Sequence, residues 1–254
     1  MKTLAISNHK GGVTKTTTAI NLGACLAADG YKVLLIDLDP QASLSAALGI
    51  DDSEGQSMAE VIGGSSPGKL AIDKVIVKKG SLFVAPSDLS LANCELGLTQ
   101  RLGRENVLKN ILTKVNNKYD LAIIDCPPSL SILTVNALVA CQAIIAPVLP
   151  QAADLRGLSL FIQSLDALEE LNPEAKLLGV LVTQFDTRLT HHAQALEILE
   201  KSGLPLFKNI IGRTVKAAES AGVGQPLVEY EPNNPRSIEY KEFSNEVKQW
   251  LKKP

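Results

Sequence analysis

Near the start of the chain, Lys10-Gly11-Gly12-Val13-Thr14-Lys15-Thr16-Thr17 sets two lysines around a glycine pair and closes on hydroxyl residues. These residue types can hold phosphate. Gly11 and Gly12 let the backbone curl so that successive N–H groups point inward as a nest for phosphate oxygens. A helix starting near Lys15 adds the positive end of its dipole at the same spot. Lys15 would then reach β- and γ-phosphates, and the Thr16 hydroxyl would ligate Mg²⁺. The apolar run Leu4-Ala5-Ile6 precedes the loop, and the strand–loop–helix order is what separates such a site from an ordinary Gly-Gly turn. Three carboxylates sit at the ends of other apolar runs. Asp37 and Asp39 follow Val33-Leu34-Leu35-Ile36, and Asp125 follows Leu121-Ala122-Ile123-Ile124. Residues two apart on a strand share a face, so Asp37 and Asp39 do if the strand continues that far. Beside phosphate and Mg²⁺, Asp37 would hold the metal's water shell and Asp39 would orient an attacking water. The competing reading is that this Asp-x-Asp pair caps the helix near Ser43. Asp125 would hold Mg²⁺ through Thr16 or a water.

The general phosphate loop has glycine immediately before its lysine; this chain has Thr14 there and a second lysine, Lys10, at the front. That arrangement, KGGxxK followed by Ser or Thr, is the deviant Walker A box, and the stretch resembles the ParA/MinD family of P-loop ATPases. The resemblance makes residues Lys10, Gly11, Gly12, Val13, Thr14, Lys15, Thr16 and Thr17 a nucleotide-binding segment, with Lys10 crossing a dimer interface to touch the partner's nucleotide. A β-branched Thr14 strains the loop if that position needs positive φ. Asp37-Leu38-Asp39-Pro40-Gln41 resembles the family's switch I, DxDPQ, which Gln41 completes. The segment DCPPSLSILTVNALVA from Asp125 resembles its switch II, and Pro127 and Pro128 stiffen that loop by fixing φ. Gln184-Phe185-Asp186-Thr187-Arg188 resembles a family turn whose arginine is linked to non-specific DNA binding. The bland alternative for Arg188 is an ion-paired surface side chain. Residues 210–220 resemble a family stretch that lies near the adenine and adds basic contacts to DNA. Gly212 and Arg213 thereby become nucleotide-side candidates, and Arg213 and Lys216 join Arg188 as phosphate contacts. Gly212 departs from the family, which has proline at this place. Three cations doubled by dimerisation would make a salt-sensitive, sequence-independent footprint.

The elements that must position these groups read in order. Helical periodicity covers residues 16–30, and a strand buried on both faces covers 32–37. Residues 51–68 read as surface connection around a short helix. Two strand-like runs follow at 75–77 and 82–84, then helices at 89–98 and 106–115. Strands are expected at 121–125, 143–148 and 176–183. Between the last two runs lies a long helix, with Leu158, Phe161, Ile162, Leu165, Leu168 and Leu171 at core spacing. His191 and His192 read as surface or helix-start residues pointing apart, with no third ligand to complete a metal set. The tail, 238–253, is an amphipathic helix whose stripe Tyr240, Phe243, Val247, Trp250 and Leu251 suits packing better than a bilayer surface.

At 254 residues the chain can bury a large core as one domain, 1–254. A net charge of −2 means that any nucleic-acid affinity comes from a local patch. Cys25, Cys94, Cys126 and Cys141 show no CxxC spacing and read as core residues in a reducing cytosol. Neither a signal peptide nor a bilayer-spanning run is expected. The likeness spans nearly the whole chain on four separated motifs. It implies an α/β fold with a mostly parallel twisted sheet flanked by helices on both faces. It also implies a ParA/Soj-type ATPase using ATP and Mg²⁺, an ATP-bound homodimer, non-specific DNA binding, and hydrolysis stimulated by a ParB-like or McdB-like adaptor. The cargo would be a plasmid, a chromosome origin or a carboxysome-like body, positioned on the nucleoid in the cytoplasm. With no DNA-reading domain ahead of the loop, operator-specific repression is not expected. Two rival classes are a MinD-like membrane-associated regulator and an iron–sulfur P-loop carrier, which would need Cys94 and Cys126 as cluster ligands.

Overall fold

Alternation along the apolar runs builds the sheet. In β1 (Lys2–Ile6), Leu4 and Ile6 face one core and Ala5 the other. The same two-residue period divides Val33 and Leu35 from Leu34 and Ile36, and Leu121 and Ile123 from Ala122 and Ile124. A strand apolar on both faces must be covered on both, which is why these runs read as continuous. The computed structural model describes residues 1–50 and 55–253. Of the connection expected at 51–68, Asp51 to Glu54 lie outside the described residues.

In chain order the elements are β1, α1 (Lys15–Ala28), β2 (Val33–Asp37), α2 (Ser43–Ala47), α3 (Met58–Ile62), β3 (Val77–Lys79), β4 (Leu82–Ala85), α4 (Leu91–Leu98), α5 (Val107–Thr113), β5 (Leu121–Asp125), α6 (Ile132–Ala140), β6 (Ala143–Val148), α7 (Ala152–Leu168), β7 (Lys176–Val182), α8 (Thr190–Lys201), α9 (Lys216–Gly222), α10 (Leu227–Tyr230) and α11 (Pro235–Leu251). The sheet order is β3-β4-β2-β5-β1-β6-β7, parallel except where β3 runs against β4. Helices α3 to α7 pack on one face, and α1 and α11 on the other. The expected fold class is therefore the observed one. What matters for function is the position of β5 between β1 and β2. Its register sets Asp125 opposite both Ile6 and Asp37, so three motif-bearing strands end side by side. Open parallel sheets hold ligands at this edge.

The tail packs as a structural helix. Asn234 accepts a hydrogen bond from the N–H of Arg236, and Pro235 occupies the first turn, so the helix starts three residues before the expected Ile238. Tyr240, Phe243 and Val247 are fully buried against the α1 side, and the Phe243 ring meets Phe207 edge-on at 4.8 Å. Each such side chain contributes about 1.5–3 kcal/mol of burial, which anchors the helix to the domain rather than freeing its stripe for a membrane. Among the described residues no helix is long and apolar enough to cross a bilayer.

Three expectations need correction. The strand expected at 75–77 begins only at Val77, because Val75 closes a 3₁₀ turn over Ile72–Lys74. Leu171 lies past the end of α7 and is 46% exposed, so it is outside the core row. His191 and His192 do not point apart. Their rings meet edge-on at 4.6 Å, and His192 is buried, with Nδ1 accepting the N–H of Asp186.

Candidate active site

The glycine loop leaves β1 at the sheet's centre, where Ser7 N–H extends the ladder to Ile145 and Asn8 donates to the carbonyl of Pro147. Gly12 (φ 77°) and Thr14 (φ 65°, ψ 28°) both adopt the left-handed conformation. The strain anticipated for a β-branched residue at position 14 is thus present, at about 1–2 kcal/mol. The Thr14 hydroxyl is also buried without a partner among the described residues. The carbonyls of Gly12 and Val13 turn outward to accept from Gln184 and Thr183. The N–H groups from Gly11 to Thr17 find no acceptor among the described residues. Consecutive free donors at a helix N-terminus form an anion cradle.

Around this cradle the expected site residues converge. Lys15 is buried, and its Nζ donates to the Lys10 carbonyl at 2.8 Å. Burial lowers its pKa, against the raising influence of Asp125. Thr16 Oγ1 donates to Asp125 Oδ2 at 2.7 Å, while Asp125 Oδ1 is buried and unpartnered among the described residues. Burial first, and the neighbouring Asp37 second, push the Asp125 carboxyl well above its ordinary range. Asp37 is raised to about 6, also chiefly by burial. Two adjacent buried carboxylates, one with a free oxygen, and a threonine hydroxyl form a donor set that fits a hard divalent cation such as Mg²⁺. The Pro127-Pro128 loop closes the other side, since Pro128 lies 3.7 Å from where a side chain on Gly11 would start.

Asp37 and Asp39 do not share a strand face, because β2 ends at Asp37. Asp37 accepts from Ser45 N–H and Ser45 Oγ with Oδ2, and from Asp39 N–H with Oδ1. It therefore caps the first turn of α2, the competing reading, while facing Asp125. Asp39 is half-exposed, and its carboxylate accepts the N–H of Gln41, which is itself exposed. Cys126 is sealed in the core and Cys94 donates to the Ala59 carbonyl. Among the described residues no three His, Cys, Asp or Glu are grouped to hold a metal ion.

Beside the cradle, the β7–α8 loop and residues 210–215 line a cleft of about 770 Å³. Gly212 sits in its wall. A side chain there would start 1.6 Å from Arg236 Nη1, and Gly212 N–H donates to Glu239 Oε2 at 2.8 Å. Glu239 also pairs with Arg236 Nε at 3.0 Å. This explains the departure from proline: a proline would lose the donor and collide with the guanidinium. Gly212→Ala displaces the flexible Arg236 guanidinium from Glu239 and is expected to destabilise the fold by about 1 kcal/mol or less, with a smaller effect in an Arg236→Ala background. Chemical denaturation of the four variants measures this coupling, and equal effects in both backgrounds would contradict it. The three DNA candidates differ. Arg188 is 85% exposed but forked onto Asp186, and Lys216 lies 2.7 Å from Glu219 and 3.1 Å from Glu231. Arg213 is exposed and has no ion-pair partner among the described residues. The sequence reading missed Arg236, Glu239, Ser45 and Asp154, the last of which meets Lys10 at 2.7 Å. Asp154 lies six residues beyond the end of β6, in the first turn of α7, and so lacks the strand-end position that marked Asp37 and Asp125.

A family model described as an AAA domain matches residues 1–177. The sporulation initiation inhibitor protein Soj of Bacillus subtilis is 37% identical over 97% of this chain and 98% of its own length. The chain belongs to the ParA/Soj family of P-loop ATPases. A chromosome-partitioning ATPase Soj of Treponema pallidum is 36% identical over 97% of this chain and 96% of its own. Among solved structures, a Mycobacterium smegmatis protein described as cobyrinic acid a,c-diamide synthase, with bound ADP and magnesium, superimposes with a TM-score of 0.85. It is 35% identical and is matched over 99% of this chain and 96% of its own. ADP or an ATP analogue with magnesium is thus held by homologous structures of this ParA/Soj fold.

Proposed function

We propose that this chain is a partition-type ATPase that positions cargo on DNA through a nucleotide-controlled dimer. The run of free N–H groups from Gly11 to Thr17, beside the Thr16–Asp125 pair with its free carboxylate oxygen, carries the reading. The loop N–H groups and Lys15 bind the phosphates of ATP, and Thr16, Asp37 and Asp125 hold Mg²⁺ directly or through water. Bound Mg²⁺ neutralises charge on the β- and γ-phosphates. Asp39 orients the water whose oxygen joins the γ-phosphorus as ADP leaves. Gln41, Gly212 and Arg213 complete the nucleotide side. Lys10 of each subunit reaches the other's phosphates, so ATP favours the closed dimer and hydrolysis opens it. The relatives named for chromosome partitioning support a partition role; on this reading a ParB-like or McdB-like adaptor stimulates hydrolysis, and the cargo is a plasmid, chromosome origin or carboxysome-like body.

The dimer binds DNA without sequence preference through Arg213, Arg188 and Lys216. Arg213, without an ion-pair partner among the described residues, leads; Arg188, 85% exposed, reaches a phosphate by leaving Asp186, whose side chain is 13% exposed. Light scattering with ATP and Mg²⁺ should show dimers that bind duplex DNA; monomers that ignore DNA would sink the proposal. Arg213→Glu combined with Arg188→Glu should weaken DNA binding by about tenfold or more. It should also flatten the salt dependence, reducing the slope by about one for each phosphate that is no longer neutralised. Fluorescence anisotropy across a salt series tests it, and an unchanged slope removes these residues from the interface.

A further inference from the structure

Lys10 is not free in this subunit. Its Nζ donates to Asp154 Oδ2 at 2.7 Å. The Lys10 side chain is 38% exposed, but Asp154, in the first turn of α7, is completely buried. The other carboxylate oxygen, Oδ1, is buried and has no partner among the described residues. Lys10 is therefore the sole cation paired with Asp154 among those residues. The same helix grips the preceding residue as well. The His9 ring packs edge-on against Phe161 at 5.1 Å, and its Nε2 lies 3.3 Å from Ser164 Oγ. Helix α7 thus fastens both residues that precede the glycine pair.

A lysine ammonium has three donors, but a phosphate in a second subunit draws it out of reach of Asp154 in its own. When Lys10 leaves for a phosphate in a second subunit, Asp154 stays behind as a buried carboxylate stripped of its cation, and such separations are strongly unfavourable. We propose that Asp154 is a positioning residue that retains Lys10 within its own subunit and thereby sets the protein concentration at which two ATP-bound subunits close. The inference rests on the dimer cycle proposed above. Asp154 does not touch nucleotide; it acts through the lysine. A resting subunit then keeps its interface lysine aimed inward, and closure proceeds only when interactions across two nucleotides outweigh the broken pair.

Asp154→Asn keeps the shape and removes the charge. Sedimentation velocity with Mg²⁺ and the non-hydrolysable analogue adenylyl imidodiphosphate should show half-dimerisation at about tenfold lower protein concentration, within the usual range of coupling between sites. Asp154→Glu keeps the charge and should stay near the wild-type threshold. Analogue affinity, measured on monomers at low protein concentration, should be unchanged in both. Reductive methylation of Lys10, read by mass spectrometry in the monomer, should run faster in Asp154→Asn, since the side chain is no longer held against a buried carboxylate. If Asp154→Asn fails to fold, Asp154→Ser makes the same charge removal in a smaller side chain. A charge-free variant that dimerises only at the wild-type concentration or higher, while wild type dimerises normally, overturns this inference alone. A wild-type chain that binds the analogue and remains monomeric overturns it together with the dimer cycle.

Discussion

Lys15→Ala lowers ATP affinity at least about 100-fold, the ~3 kcal/mol of a charge-assisted contact inside a water-poor cradle. The lysine is buried at the helix N-terminus amid N–H groups that already favour an anion, so its charge acts at short range with little screening. Its loss should not unfold the protein. Burial holds the Lys15 pKa below the ordinary lysine value, so the unfolded chain binds this proton more tightly than the folded one. By linkage, the charged lysine then detracts from stability, and this penalty fades as pH rises from the folded pKa toward the unfolded value. The alanine variant should therefore melt at or above the wild-type temperature while failing to bind ATP. Calorimetric titration and thermal melts check the two halves separately. Wild-type affinity would remove Lys15 from the phosphate site; a collapsed melting temperature would make it a structural residue.

Asp39→Ala keeps ATP binding within a few-fold and lowers turnover by about 10²–10³, the scale of a positioned group acting on a transferred proton or water. The carboxylate stands half-exposed at the end of β2, close enough to Lys15 to influence its charge, and is not consumed by a cap as Asp37 is. One contact needs separating from this role: Asp39 accepts the N–H of Gln41 and so shapes the turn that leads to Ala42 at φ 52°. Asp39→Asn retains that acceptor and loses only the charge. Turnover abolished in both variants, with ATP-bound dimers accumulating by light scattering, assigns the effect to the carboxylate. Normal turnover in Asp39→Asn would leave Asp39 a turn former and move the water-orienting role elsewhere.

The contrast between Asp37 and Asp39 shows where sequence reasoning reached its limit. Both were legible as carboxylates at a strand end, and the apolar run placed them at the correct edge of the sheet. A shared face required the strand to continue to Asp39, but β2 stops at Asp37 and the chain turns to present Ser45 to that carboxylate. A two-residue period holds only while the backbone stays extended. Arg188 and Lys216 carried the opposite lesson. Their charge was visible, but the carboxylates that engage them, Asp186, Glu219 and Glu231, set how available that charge is.

Contiguous residues carry local chemistry, so the phosphate loop, the buried strands, the strain at Thr14 and the family could be read from the order of amino acids alone. Strand order and helix docking join positions far apart in the chain, and no local pattern encodes them. The folded molecule decided that β5 lies between β1 and β2, which brings Asp125 to Asp37 and Thr16. It decided that α11 brings Arg236 and Glu239 to Gly212, and that α7 brings Asp154 to Lys10. The physical reason is burial. Asp37, Asp125 and Asp154 are withdrawn from water by the packing of the whole core, and a buried carboxylate makes its partner matter enough to define the site.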